Sequence, residues 1–235
     1  MSTQAQPVPA ADVPPLICPP EVIFDRKRFE ADCGKATANL RSPTDVRAAV
    51  VALLRDAQKS GREEIAKAFA AHPFEARPMT RAYTYLTDQL VISALHVARD
   101  LLHPKPNPTA GENLALIGVG GYGRGEMAPF SDVDLLFLTP YKITAWAESV
   151  IESMLYILWD LKLKVGHASR TIRECIKLGG EDFTIRTALL EHRYLAGDTA
   201  LAQKLEQKLR TDLFKGSGRE FVEAKLAERE LRHRK

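Results

Sequence analysis

Gly120, Gly121, Asp132 and Asp134 are the residues of this chain whose types and spacing could do chemistry. They lie in the stretch Gly118-Val119-Gly120-Gly121-Tyr122-Gly123-Arg124-Gly125-Glu126-Met127-Ala128-Pro129-Phe130-Ser131-Asp132-Val133-Asp134-Leu135-Leu136. A Gly-Gly pair closing a strand lets the backbone approach a ligand without side-chain clash. The amides that open a short helix offer donors and a positive dipole end to phosphate oxygens. Asp132 and Asp134 stand two apart at the mouth of the next strand, so their carboxylates project from one face. At roughly 5 Å and an effective dielectric of about 20, their repulsion is on the order of 3 kcal/mol, which a divalent cation reverses. The pair is a hard-oxygen metal site of the kind that suits Mg²⁺ beside phosphates.

Other readings of the same glycines fit less well. Gly118, Gly120 and Gly123 satisfy GxGxxG, but a dinucleotide fold needs a full helix behind the glycines and an acid about twenty positions on, at the end of the following strand. Here Gly123, Gly125 and Pro129 limit any helix to about two turns, and the acids sit at the beginning of the strand. A P-loop needs Gly-Lys-Ser/Thr, and Gly123-Arg124-Gly125 does not supply it. An isolated Asp-x-Asp after a serine is ordinary turn chemistry. Its coupling to a Gly-Gly turn eleven residues before Asp132 changes that reading.

The elements that must position these residues read as an α/β core. Leu114-Ala115-Leu116-Ile117 and Val133 to Leu138 are short apolar runs, the second apolar on both faces around Leu135-Leu136-Phe137-Leu138 and hence central. An amphipathic helix follows from Ala145 to Leu161, with Trp146, Val150, Leu155 and Leu158, then a strand from Leu163 to Ser169. Upstream, Ser42-Pro43-Thr44-Asp45 opens a helix carrying Val46, Val50, Leu53, Leu54 and Ala57. A second helix runs from about Thr80 to Leu102 with Tyr83, Leu86, Leu90 and Leu95 as its stripe. The prolines of His103-Pro104-Lys105-Pro106-Asn107-Pro108 end it. The expected organisation is a disordered leader over 1–20, a helical region over 21–103, a core over 111–178 and an entirely helical extension over 179–235. That last segment stops without a cap, like a piece of a longer protein.

With 45% apolar and 27% charged residues, the chain has the composition of a soluble globular protein. The net charge is only +3, and Lys and Arg are mixed with Asp and Glu along helical segments. Nothing here forms the basic stripe of a nucleic-acid surface. Cys18, Cys33 and Cys175 are far apart and read as reduced thiols. No membrane span or secretory signal is evident, so the expected location is cytoplasmic.

Val119-Gly120-Gly121 followed by Asp132-Val133-Asp134-Leu135 resembles the signature of the DNA-polymerase-β-like nucleotidyltransferase superfamily. More narrowly, Gly120 to Met127, Pro129 and Ser131 to Leu136 resemble the N-terminal domain of the bifunctional uridylyltransferase/uridylyl-removing enzymes of bacterial nitrogen regulation. Trp159-Asp160, Val165-Gly166-His167, Arg170-Thr171, Thr187 to Glu191 and Arg232-His233 extend that likeness, which covers about Asn113 to Lys235.

The resemblance implies an α+β nucleotidyltransferase core with a small mixed sheet, flanked by helices. It also implies transfer of UMP from UTP to a tyrosine hydroxyl of the PII signalling protein, with release of pyrophosphate. Asp132 and Asp134 would hold two Mg²⁺ ions, while Gly120, Gly121 and Ser131 would contact phosphate and Arg124 would bridge phosphate oxygens. The family's His-Asp hydrolase and glutamine-sensing domains lie later than Lys235. Many superfamily members add a third carboxylate on a later strand, and Leu163 to Arg170 contains none. The general base therefore stays open among His167, Asp160, Asp182 and a simple metal-lowered pKa of the acceptor hydroxyl. A nucleotidyltransferase with another base or acceptor, and a catalytically incomplete nucleotide-binding module, are the competing functions.

Overall fold

A computed structural model describes residues 15–105 and 110–233. Four helices open the described chain: α1 (Pro20–Ile23), α2 (Arg26–Thr37), α3 (Pro43–Ala71) and α4 (Ala76–His96). Pro43 occupies the first helical position of α3, as its fixed φ favours. Val46, Val50 and Leu54 are buried at helical spacing, and Gly61 lets α1 approach so closely that a Cβ there would meet Ile23 O at 2.5 Å. The α4 stripe includes Leu86, Leu90 and Leu95, after which the helix widens into a π-helical turn over Val97–Leu102. Of the expected proline break, Pro106, Asn107 and Pro108 lie outside the described residues.

The core follows as β1 (Ala115–Gly118), α5 (Gly120–Gly123), β2 (Val133–Thr139), α6 (Ala145–Asp160), β3 (Val165–Thr171), α7 (Ile172–Glu181), α8 (Phe183–Leu190), β4 (Arg193–Gly197), α9 (Thr199–Lys208) and α10 (Gly218–His233). The sheet order is β3-β2-β1-β4, with β1 antiparallel to β2 and β4, and β2 parallel to β3. This is the small mixed sheet of an α+β fold, with β2 interior as its two apolar faces require. Leu135 and Phe137 join a core shared with α3, α4 and α6, while Leu136 and Leu138 pack with Cys175, Leu189 and Leu205 from α7, α8 and α9. The two faces of β2 thus bind the N-terminal and C-terminal helices to one sheet.

Two expectations need correction. The segment after Glu181 is not helical throughout, because Arg193–Gly197 forms the edge strand β4. Gly197, at φ +93°, closes that strand where a Cβ would collide with Leu114 O, and Leu195 and Ala196 are buried. The expected disordered leader over 1–20 does not hold for its last residues. Residues 1–14 lie outside the described residues, but Leu16, Ile17 and Cys18 pack against the helical core. No helix among the described residues is long and apolar enough to cross a membrane, and all three cysteines are free.

Candidate active site

The site forms where β1 ends and β2 begins. The Val119 amide donates to Asp134 O (3.0 Å), which brings the end of β1 level with the start of β2. The chain then turns through Gly120 at φ +59°, a left-handed conformation that favours glycine. A Cβ on Gly120 would stand 3.5 Å from Asp134 Oδ2, so the turn and the carboxylate are direct neighbours. The short α5 begins at this turn, and its first amides have no intrahelical acceptor. Gly123 has no room for any side chain, because the Glu191 carbonyl at the end of α8 fills the place of a Cβ.

Asp134 is the one half-buried residue in a strand otherwise buried along its length. Across the parallel ladder it pairs with Gly166, and a Cβ at Gly166 would fall inside the van der Waals shell of Asp134 Oδ1. Burial, and then the charge of Asp132, push the Asp134 carboxyl above its ordinary value. Asp132 itself is exposed. An acid whose charged form is disfavoured by burial and by the neighbouring carboxylate, with a glycine keeping the space beside it open, fits a hard divalent cation such as Mg²⁺. The cleft beside Asp134 has a volume of about 310 Å³ and is bounded by Val119, Gly166, Arg170, Thr184 and Leu189.

The remaining expected residues are not all at this cleft. Arg124 stands beside Gly121, where a Cβ would lie 3.6 Å from its Nη2, and its Nη1 donates to Glu191 (2.5 Å). Ser131 lines a separate cavity on the α3 and α4 side. His167 is among the residues lining the Asp134 cleft, but strand alternation turns its ring to the opposite sheet face, edge-on to Phe137 (6.4 Å). Asp182 caps α8 by accepting from the Thr184 and Ile185 amides, bonds that hold its carboxyl below the ordinary value. Asp160 ends α6 within 3.7 Å of Arg47. Among the described residues no group of three or more His, Cys, Asp or Glu side chains is placed to share an ion.

Sequence reading missed the support beneath the turn. Tyr122 is buried, and its hydroxyl donates to Asp88 on α4 (2.6 Å); burial and the Asp88 charge hold the phenol well above its ordinary pKa. Arg193, the first residue of β4, makes two bonds to the same carboxylate (2.7 and 3.0 Å) and donates to the carbonyls of Tyr122 and Gly123 (both 3.3 Å). Its guanidinium also lies 5.4 Å from the Tyr122 ring centroid. Asp88 stands four residues after Thr84 and three before Val91, both buried, so helical spacing was a signal that this acid faces inward. Arg170 was also missed as a cleft residue, although it follows Gly166 by four along β3 and shares its face.

No family model matches the chain. It is 63% identical over 213 residues to a protein of Ruegeria pomeroyi named bifunctional uridylyltransferase/uridylyl-removing enzyme, a match covering 91% of this chain and 24% of that protein. Proteins of the same name from Cereibacter sphaeroides and Rhodospirillum rubrum are 58% and 44% identical over 82% and 93% of this chain, and over 21% and 23% of their own lengths. The chain therefore spans about a quarter of the length of the curated relatives it matches.

Proposed function

We propose that this chain, homologous to about a quarter of the bifunctional uridylyltransferase/uridylyl-removing enzymes, transfers UMP from UTP to a tyrosine hydroxyl of the PII nitrogen-regulatory protein. In this reaction a bond forms between the tyrosine oxygen and the α-phosphorus. The bond from that phosphorus to the β-phosphate bridge breaks, pyrophosphate leaves with the electron pair, and the hydroxyl proton passes to solvent.

The observation that carries this reading is the contact of the Gly120 turn with the Asp134 carboxylate, which sets a phosphate cradle against a metal-binding acid. Gly120 and Gly121 present backbone to the β- and γ-phosphates, and Arg124 supplies a positive charge at the rim. Asp132 and Asp134 would hold Mg²⁺, which when bound neutralises triphosphate charge and lowers the pKa of the attacking hydroxyl. Gly166 leaves the Asp134 carboxylate free to turn toward the cleft. Arg170 and Thr184 line the space left for the rest of the nucleotide. With the His167 ring turned against Phe137 and Asp182 committed to a helix cap, a lowered pKa of the acceptor hydroxyl would take the place of a dedicated side-chain base. UTP is an intracellular metabolite, and the reaction belongs in the cytoplasm.

Transfer of α-phosphate label from each of the four nucleoside triphosphates to purified PII tests the proposal. Label from UTP alone, dependent on Mg²⁺, supports it. Label from another nucleotide replaces the base assignment. The chain's limited share of its relatives' length gives a second reading, a nucleotide-binding module without turnover, and UTP bound with no label moved would select it.

A further inference from the structure

A second cavity, of about 200 Å³, opens at the same end of the sheet as the carboxylates, on the α3 and α4 side. Arg62, Phe130, Ser131, Lys162 and Lys164 line it, over a floor that includes Leu86 and Leu90. No Asp or Glu is among its described lining residues, and none of the three cations is in an ion pair among the described residues. Phe130 and Lys162 are the two non-glycine residues with positive φ among the described residues, at +67° and +60°, and both line this cavity. A side chain with a Cβ keeps that conformation only where its surroundings hold it, and such positions gather at ligand sites. Here it keeps a phenylalanine ring 78% exposed, two residues before Asp132, with the Arg62 guanidinium 5.2 Å from the ring centroid.

Resting on the function proposed above, we infer that this cavity docks the protein acceptor through an acidic segment beside its reactive tyrosine. The phosphate turn flanks β2 from the β1 side, whereas Lys162 and Lys164 precede β3 and flank it from the other. In-line displacement requires the attacking oxygen opposite the departing pyrophosphate. With pyrophosphate held by Gly120 and Gly121, the acceptor enters from the β3 side, where the cations are. Three positive charges fit carboxylates, and the exposed ring over an apolar floor fits an adjoining apolar or aromatic side chain. A free phosphate would have no use for the ring.

The test uses the full chain and purified PII. Phe130→Gly removes the ring while easing the left-handed backbone, and Lys162→Asn with Lys164→Gln removes two charges while keeping a residue tolerant of that backbone at 162. The expected result is a rise of about tenfold in the KM for PII, with UTP affinity in Mg²⁺ held within about twofold. A KM for PII that does not move, or UTP affinity that falls in parallel with it, overturns the inference. Inorganic pyrophosphate bound by the native chain and lost in the lysine variant, with PII unaffected, also overturns it, by making the cavity a phosphate subsite. A native chain that moves no label to PII contradicts the proposed function itself. Transfer that persists with unchanged PII kinetics in the variants rejects the docking surface alone.

Discussion

The carboxylate of Asp134 occupies the space that a side chain at position 166 would fill: the two residues pair across the parallel β2–β3 ladder, and Gly166 is what leaves Asp134 room to turn into the cleft. The obstacle a Cβ would meet is the far end of a mobile side chain rather than backbone. Gly166→Ala is therefore expected to fold and to displace the carboxylate. Displacement near 1 Å costs about a hundredfold in rate. Label transfer and a melting curve on the same preparation check this: transfer should fall by about that factor while the melting temperature stays near native.

Breaking the network beneath the turn should act on stability and nucleotide binding together. Arg193 and Asp88 are partly rather than fully buried, with 32% and 16% of their side chains exposed. Removal of one partner is expected to cost on the order of 2–3 kcal/mol, less than for a fully buried pair. Arg193→Gln and Asp88→Asn should both show this in denaturant unfolding. Tyr122→Phe loses one bond to Asp88, which keeps its two from Arg193, and should cost about 1 kcal/mol. Equal losses in all three variants would contradict this arrangement.

The pH dependence of stability follows from Asp134. Its folded pKa is raised, first by burial and then by Asp132, so the folded state holds this proton more tightly than the unfolded chain does. The stabilisation from that proton is fully present below the unfolded carboxylate pKa and is lost as pH rises through the raised value. Near neutral pH without Mg²⁺, Asp134→Asn should melt above the native chain, and the gap should close in acid. Mg²⁺ should stabilise the native chain more at neutral pH than in acid, and should leave Asp134→Asn nearly unmoved. Melting curves across this range, with Mg²⁺ and with chelator, provide the check.

Arg124 is more than half exposed and is held by Glu191. In so wet a setting the pair itself contributes about 0–1 kcal/mol to stability. Glu191→Gln should accordingly leave the melting temperature unchanged. Arg124→Ala should weaken UTP binding by about 1.5–3 kcal/mol, the worth of a charged hydrogen bond, as calorimetry would measure.

The Gly-Gly turn after β1 and the acids at the mouth of β2 were legible because glycine and aspartate have local meanings within a dozen residues, whereas the left-handed φ of Gly120 and the place of Asp132 just before β2 rather than on it were not. The sheet's central strand was legible for the same reason, since Leu135 to Leu138 is apolar on both faces. What stayed hidden depended on distant partners. Arg193-Tyr194-Leu195-Ala196-Gly197 becomes a strand because the free edge of β1 accepts it, and its own residues lack the β-branched pattern that marks a strand locally. The bond from Tyr122 to Asp88 spans 34 positions, and those from Arg193 to Asp88 span 105. The placement of Ser131 in the cavity on the α3 and α4 side likewise follows a left-handed Phe130 that residue type alone does not announce.

The most direct measurement is calorimetric titration of UTP into the native chain and into Asp132→Asn/Asp134→Asn, each with Mg²⁺ and with chelator. The account predicts binding by the native chain that requires Mg²⁺ and is abolished in the double variant. UTP binding of equal strength in chelator, or unchanged in the double variant, would contradict it.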